Sequence, residues 1–271
     1  MTQARREWGP SDGPPLVCLH GVTSHARHFE QLAGRLPGHH TIALDLIGHG
    51  ASDREPPWNV EAQRDAALAS APAGPATWLG HSFGGRVAWE VAAYAPERVE
   101  RLVLLDPAIQ LPPNVGFNAA ELARPDRSYA SFEEAIDLRF VESRLHDAPR
   151  ELVEDELRHH LYEDSDGRWR YRYCQSAVVA AYGEMTREPP AFAIVRVPTL
   201  LVLGERSYLP YDHLLDAHRA GAGDLLRVVV VPGAGHTLLW DALDATVDAV
   251  AAFLRSLRSS TTTGIRRSVL A

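Results

Sequence analysis

The clearest chemical motif in the sequence is a serine flanked by glycines, Gly80-His81-Ser82-Phe83-Gly84. It follows an apolar segment typical of a buried strand, residues 77–81, and precedes a segment with helical spacing, residues 86–95. A serine at such a strand-to-helix turn is held in a strained backbone that exposes its hydroxyl. A glycine-rich turn whose serine only caps the helix is the alternative, but the flanking strand and helix favour Ser82 as a nucleophile.

A general base for this serine is expected late in the chain, at His236. This histidine follows a run of four valines, residues 228–231, and the segment Gly233-Ala234-Gly235. An imidazole can accept the serine proton near neutral pH and return it to a leaving group. The chain has 13 histidines, so a histidine in an ordinary loop is the alternative. Its position after the last predicted strand favours His236 as the base.

Backbone amides for an oxyanion hole are expected at two places. The segment His20-Gly21-Val22-Thr23 ends an early apolar strand, residues 16–20, and lies upstream of Ser82. We predict that the amide of Val22 pairs with the amide of Phe83 to hold the oxyanion. Each preorganised donor of this kind is worth about 2.7–4 kcal/mol in a transition state. An ordinary turn at the end of the strand is the alternative.

These motifs lie at the ends of predicted strands that alternate with helices. Such alternation predicts βαβ units and a mainly parallel sheet flanked by helices. A final helix is expected from about residue 241. The predicted strands are residues 16–20, 41–46, 77–81, 102–106, 199–204 and 227–232.

The middle of the chain has a different pattern. Between residues 109 and 195 there are helical patterns at 131–145, 149–161 and 176–185, without a convincing strand. Proline pairs at 112–113 and 189–190 suggest hinges at its two ends. We therefore predict an α/β core from residues 1–108 and 196–258, with a helical cap, residues 109–195, inserted into it. The tail, residues 259–271, is expected to be disordered.

Composition excludes several classes of function. The 271-residue chain has a net charge of −8, which argues against a nucleic acid or an anionic membrane as a partner. It contains no lysine, so a lysine Schiff base, a Ser-Lys dyad and a P-loop are excluded. No apolar run approaches the roughly 20 residues of a membrane span, and no signal-peptide core begins the chain. With two cysteines, a cytoplasmic protein is predicted.

Four segments together resemble the α/β-hydrolase superfamily, and in particular its capped lipase- and esterase-like members. They are Leu19-His20-Gly21, the nine residues 45–53, Gly80–Gly84 and Gly235-His236. The resemblance implies an α/β-hydrolase fold and covers residues 16–106 and 197–254, but it is weak across the cap. In that family the segment corresponding to residues 48–50 is a structural loop, so His49 and Asp53 receive no catalytic role.

The acid that completes a Ser-His-acid triad is the open question. The family usually has a Gly-x-x-Asp pattern after the strand seen here at 199–204, and this chain has Ser207 at that position. Three carboxylates could take its place: Asp106, Glu205 and Asp212. Asp106 ends the strand beside the nucleophile strand, and some family members keep their acid there. We therefore favour Asp106, although it could also be only a polar strand end.

The function predicted from these residues is hydrolysis of a carboxylic ester through an acyl-enzyme on Ser82. The expected partner is a small molecule with an apolar acyl group, and no cofactor or metal is required. The same machinery could act on a thioester, a lactone or a carbon–carbon bond beside a carbonyl, and a non-catalytic ligand-binding protein is a further alternative. Oligomeric state stays open. Four aromatic residues could line an apolar pocket or could equally belong to the core: Phe117, Phe140, Tyr182 and Trp89.

Other polar features receive no role at this point. His25 and His28 follow the predicted oxyanion loop and could line the pocket or lie on the surface. The acidic stretch 151–156 is predicted to be the solvated face of a cap helix.

Overall fold

In the computed structural model, which describes residues 2–256, short strands and helices alternate along the chain. The strands are β1 (Arg5–Trp8), β2 (Pro15–Leu19), β3 (His40–Leu44), β4 (Ala76–His81), β5 (Val99–Leu105), β6 (Ser128–Tyr129), β7 (Leu161–Glu163), β8 (Trp169–Tyr171), β9 (Thr199–Gly204) and β10 (Leu226–Val231). The α-helices are α1 (Glu30–Arg35), α2 (Val60–Ser70), α3 (Phe83–Tyr94), α4 (Pro113–Ala123), α5 (Phe132–Glu142), α6 (Arg150–His160), α7 (Gln175–Glu184), α8 (Asp212–Ala222), α9 (Leu238–Asp241) and α10 (Leu243–Ser256).

Seven of the strands form one sheet in the order β1-β3-β2-β4-β5-β9-β10. All neighbours in it are parallel except β1, which runs antiparallel to β3. The predicted mainly parallel sheet is thus confirmed. The edge strand β1 was not predicted, because its sequence Arg-Arg-Glu-Trp is charged and has no apolar alternation.

Helices cover both faces of this sheet, which explains why its strands are continuous apolar runs rather than alternating ones. In β2, Val17 and Leu19 point to the face covered by α2, α3 and α8. Leu16 and Cys18 point to the opposite face, which α1 and α10 cover. The side-chain period of two thus divides the core into two layers.

An insertion between β5 and β9 contains α4 to α7, and its apolar side chains form a separate hydrophobic cluster that also includes Trp240. The three helices predicted here are present. The expectation of no strands was wrong, because β6, β8 and β7 form a small antiparallel sheet. Helix α4 was not predicted either, since Pro112 and Pro113 were interpreted as a hinge. Pro113 instead occupies the first turn of the helix, where its missing amide proton is not needed.

The predicted disordered tail, residues 259–271, lies outside the described residues. Within residues 2–256, no helix is long and apolar enough to cross a membrane. In the parallel part of the sheet, the carboxyl ends of the strands meet at one edge, and the residues that follow β2, β4, β5 and β10 there form the candidate site described next.

Candidate active site

Ser82 lies in a tight turn between β4 and α3. Its backbone angles are φ 54° and ψ −120°, a region that residues with a side chain rarely adopt. The flanking glycines make the turn possible. A Cβ on Gly80 would lie 2.3 Å from the carbonyl oxygen of Gly84, and a Cβ on Gly84 would lie 2.1 Å from the carbonyl oxygen of Leu19. The turn therefore has the strained geometry that the sequence motif predicts.

The loop after β2 lies directly against this turn. A Cβ on Gly21 would be 2.9 Å from the Ser82 Cβ. Val22 directly follows Gly21 in the chain. Among residues 2–256, no acceptor is hydrogen-bonded to the Val22 amide. Phe83 is the first residue of α3, and amides in the first turn of a helix have no acceptor within that helix. Phe83 as a whole is fully buried behind Ser82.

His236 lies in the loop after β10, and its ring contacts a carboxylate from a neighbouring strand. The Nδ1 atom of His236 is 2.6 Å from Oδ2 of Asp106. An ionised carboxylate only accepts, so Nδ1 carries the proton and Nε2 is the free nitrogen. His81 supports the same loop, because its Nε2 donates to the His236 carbonyl oxygen at 3.0 Å and the two rings are 4.8 Å apart.

Asp106 follows β5 and is 2% exposed. Besides His236, its carboxylate accepts hydrogen bonds from the Gly204 amide at 3.1 Å and from the Ser207 hydroxyl. Its φ of 41° is again in the left-handed region. Ser207 occupies the position where the family pattern led us to look for the acid, and the structure places its hydroxyl on the carboxylate of Asp106.

The other two candidate acids point elsewhere. Glu205 is exposed and accepts from the Gly233 amide at 2.7 Å. Asp212 is exposed at the start of α8. Within the described part of the chain, Asp106 is thus the one of the three that the structure brings to His236.

Ser82 and His236 both line one cavity of about 380 Å³. In this conformation, residues 2–256 show no hydrogen bond between Ser82 Oγ and His236 Nε2. Such contacts are often long in unliganded enzymes and tighten when substrate binds.

The cavity is lined by apolar residues, here called the apolar wall, and by polar residues, here called the polar wall. The apolar wall is formed by Val22, Leu111, Val115, Ala119, Leu122, Tyr182, Met185 and Leu209. The polar wall is formed by Thr23, Ser24, Arg127, Arg139, Glu142, Ser143, Arg144 and Thr237.

Of the four aromatic residues considered for the pocket, Tyr182 lines the cavity. Trp89 is buried in the main core, and Phe140 packs in the core of the insertion. Phe117 is 65% exposed.

Two buried histidines near the site, His81 and His20, are held neutral. Burial, reinforced by the nearby rings of His236 and His28, holds the pKa of His81 well below its ordinary value. Burial also lowers the pKa of His20 to about 4. His20 Nε2 accepts from the Leu46 amide at 2.9 Å, so this ring fixes the start of the loop that carries Val22. The surroundings of Ser82 are therefore polar without carrying a fixed positive charge from these two rings.

The acidic stretch of α6 is not a uniformly solvated face, which corrects the prediction. Glu156 is 5% exposed and lies 3.0 Å from His28 Nδ1. The indole of Trp240 donates to the same carboxylate at 2.7 Å. Burial alone would raise the pKa of Glu156, but His28, His25 and Arg139 together keep it below its ordinary value. His25 and His28 are themselves buried, and His28 lines the cavity.

Sequence reasoning missed two side chains that support the site. Ser207 had a visible signal, since it fills the position of the expected acid. His81 had none, because the second position of the Gly-x-Ser-x-Gly motif accepts many residue types.

Fold and motif together define a hydrolase of the α/β class. A family model described as the alpha/beta hydrolase family matches residues 16–251, and the chain belongs to that family. It is 35% identical over 222 residues to the lipase LipV of Mycobacterium tuberculosis, covering 78% of this chain and 82% of the relative. It is 32% identical over 254 residues to 2-(acetamidomethylene)succinate hydrolase of Mesorhizobium japonicum, covering 89% and 88%.

Solved structures agree on the fold. The crystal structure of E-2-(acetamidomethylene)succinate hydrolase superposes with a TM-score of 0.81 at 27% identity, covering 93% of this chain and 94% of that one. A marine microorganism esterase gives a TM-score of 0.76 at 23% identity, covering 93% and 99%.

Proposed function

We propose that this chain is a serine hydrolase that cleaves carboxylic esters through an acyl-enzyme on Ser82. The observation that carries the proposal is the 2.6 Å contact between His236 and Asp106 in the cavity where the strained Ser82 turn also lies. A relative named as a lipase, at 35% identity, supports an ester as the substrate bond.

In the proposed mechanism, Ser82 Oγ attacks the ester carbonyl carbon while His236 Nε2 accepts the hydroxyl proton. Asp106 holds the ring in the required tautomer and stabilises the imidazolium that forms. The amides of Val22 and Phe83 donate to the oxyanion. Collapse of the tetrahedral intermediate expels the alcohol, which takes the proton from His236. Water, activated by the same histidine, then releases the acid and restores Ser82.

We propose that residues 109–195 act as the cap of this site. Their side chains supply much of the cavity wall, including Val115, Tyr182 and Met185. This apolar wall suits an apolar acyl group of a small-molecule substrate. None of the steps uses a metal or cofactor.

A second candidate is the same machinery acting on an amide bond. It is favoured by the 32% identity to a relative whose name contains an acetamido group, over 89% of this chain. An amine is a poorer leaving group than an alcohol, so this reaction would depend more heavily on proton donation by His236.

The test combines active-site labelling with turnover. We expect a fluorophosphonate probe to label the wild type and not Ser82→Ala, and a p-nitrophenyl ester series of increasing acyl length to show turnover that Ser82→Ala abolishes. A folded wild-type protein that neither reacts with the probe nor hydrolyses any ester would refute the proposal. Probe labelling without ester turnover would shift the choice to the amide.

A further inference from the structure

The polar wall of the cavity is unexpectedly basic. It contains three arginines, Arg127, Arg139 and Arg144, and one acidic residue, Glu142. That acid is already paired, because its carboxylate lies 3.1 Å from Arg127 and accepts from the Tyr129 hydroxyl at 3.4 Å. Arg139 and Arg144 therefore line the cavity without pairing with Glu142, the one acidic residue of the polar wall.

Arg139 is fixed by its surroundings. Its guanidinium lies over the rings of Tyr171 and Trp240, at 5.6 and 5.2 Å from their centroids. Two long hydrogen bonds of 3.4 Å join it to Thr23, in the loop beside Ser82. This arginine is 7% exposed and serves to hold the loop against the insertion.

Arg144 has no such partners. Within residues 2–256 its guanidinium makes no ion pair and no hydrogen bond, and it lies over the ring of Tyr208 at 5.0 Å. The Tyr208 ring is in turn 5.0 Å from the ring of His236. Arg144 is exposed, its five N–H donors have no partner within residues 2–256, and a single aromatic ring separates its guanidinium from the histidine.

The backbone at Arg144 gives an independent reason to assign it a function. It follows the C-cap of α5, Ser143, and the Leu145 amide donates to Phe140 O at 3.0 Å while the Arg144 amide donates to Val141 O at 3.2 Å. This is a Schellman motif, in which glycine normally occupies the position that Arg144 takes, and the φ of Arg144 is 49°.

Four non-glycine residues between 2 and 256 have a positive φ: Thr23, Ser82, Asp106 and Arg144. The first three lie at the proposed site. Strained residues of this kind cluster where function requires them. Arg144 keeps a long charged side chain where glycine would be less strained.

We propose that Arg144 binds a carboxylate of the substrate, so that the substrate class is an ester or amide that carries a second, ionised acid group. This inference rests on the proposed hydrolysis at Ser82. A guanidinium offers two parallel N–H groups to a carboxylate, and such bidentate pairs are among the stronger protein hydrogen bonds. The apolar wall then contacts the carbon chain between the two acid groups.

The first test compares two esters of the same shape on each variant. We expect the wild type to hydrolyse the p-nitrophenyl monoester of adipate with a higher kcat/KM than its neutral isostere, p-nitrophenyl 6-methylheptanoate. Arg144→Gly should reduce that preference roughly ten- to hundredfold, mainly through KM. Arg124→Gly is the matched control, since Arg124 is, like Arg144, an exposed arginine just after a helix but lies outside the cavity lining. It should leave the preference unchanged.

A second comparison covers a carboxylate on the leaving group, using p-nitrophenyl butyrate and its ring-carboxylated analogue. An Arg144-dependent preference on either side of the ester supports the proposal. Equal preference ratios in the wild type and in Arg144→Gly, for both ester pairs, would overturn it.

Stability and binding separate this role from a structural one and from failure of the proposed function. Arg144→Gly relieves the strained φ, so its Tm should equal or exceed that of the wild type; a lower Tm would indicate a structural role instead. Calorimetry with adipate on Ser82→Ala should show binding that Ser82→Ala/Arg144→Gly loses. Arg144-dependent adipate binding without any ester turnover would refute the hydrolase proposal and support the carboxylate site. Ester turnover with equal preference ratios for both ester pairs, and with adipate binding that is absent or independent of Arg144, would support the hydrolase proposal and refute the carboxylate site.

Discussion

Replacing Asp106 by asparagine tests which acid supports His236. The Asp106 carboxylate is 2% exposed and 2.6 Å from His236 Nδ1, so water screens its charge poorly. In the proposed mechanism an imidazolium forms beside it in the transition state. At an effective dielectric constant of about 20, two unit charges about 4 Å apart attract by about 4 kcal/mol. Asparagine keeps the shape and loses this attraction, so a decrease of roughly a thousandfold in kcat is expected.

The assay is kcat and kcat/KM for one p-nitrophenyl ester, measured for Asp106→Asn, Glu205→Gln and Asp212→Asn. The last two residues are exposed and make no hydrogen bond or ion pair with His236 within residues 2–256, so their variants should remain close to the wild type.

Because Asp106 also accepts from the Gly204 amide and the Ser207 hydroxyl, its variant must be shown to be folded by circular dichroism and thermal melting. A folded Asp106→Asn protein with wild-type kcat, or a larger loss in Glu205→Gln or Asp212→Asn, would refute the assignment of the acid.

Three further variants test the support of the site and of the fold. Ser207→Ala removes a hydrogen bond to the Asp106 carboxylate and should lower kcat roughly tenfold in the same assay, and a loss as large as that of Asp106→Asn would contradict a supporting role. Burial lowers the pKa of His218 to about 4, whereas the pKa of a histidine in an unfolded chain is about 6.5. Between these two pH values only the unfolded state gains the proton. The folded state therefore loses stability as the pH falls through this range. Between pH 7 and pH 4.5, the unfolding free energy of His218→Asn should therefore fall by about 2 kcal/mol less than that of the wild type in urea titrations, and equal losses would count against this view. Gly84→Ala should destabilise the protein by roughly 3 kcal/mol or more, since its Cβ would lie 2.1 Å from a strand carbonyl oxygen. Gly74→Ala is the control and should not destabilise the protein, since no atom lies within 4 Å of a Cβ at that position. Chemical denaturation of the two variants measures the difference.

The central sheet could be predicted because its strands are buried on both faces. Six parallel strands were predicted to within a few residues, and the bounds of β9 agree at both ends. The turn at Ser82 could be predicted because strand, glycines and helix must all be present for it to form. Gly80 and Gly84 carry that signal, since any larger residue would collide with the backbone there.

Other features depend on contacts that no local pattern reveals. The strands β6, β7 and β8 contain two or three residues each, too few for a periodic pattern. Glu156 lies on a helix rich in acidic residues, and its burial depends on His28 and Trp240, which are 128 and 84 residues away in the chain. Sequence spacing contains no information about such partners.

The position of the carboxylate that contacts His236 shows how the sheet can make two sequence patterns equivalent. Strands β5 and β9 are parallel neighbours, with Leu105 paired to Val202, so the residues after each strand arrive at the same edge. A carboxylate after either strand can therefore reach His236. Here it follows β5 as Asp106, and Ser207 after β9 donates a hydrogen bond to it. A sequence pattern that considers β9 alone finds a serine and no carboxylate. The pairing of β9 with β5 explains why that serine, Ser207, instead supports the carboxylate of Asp106.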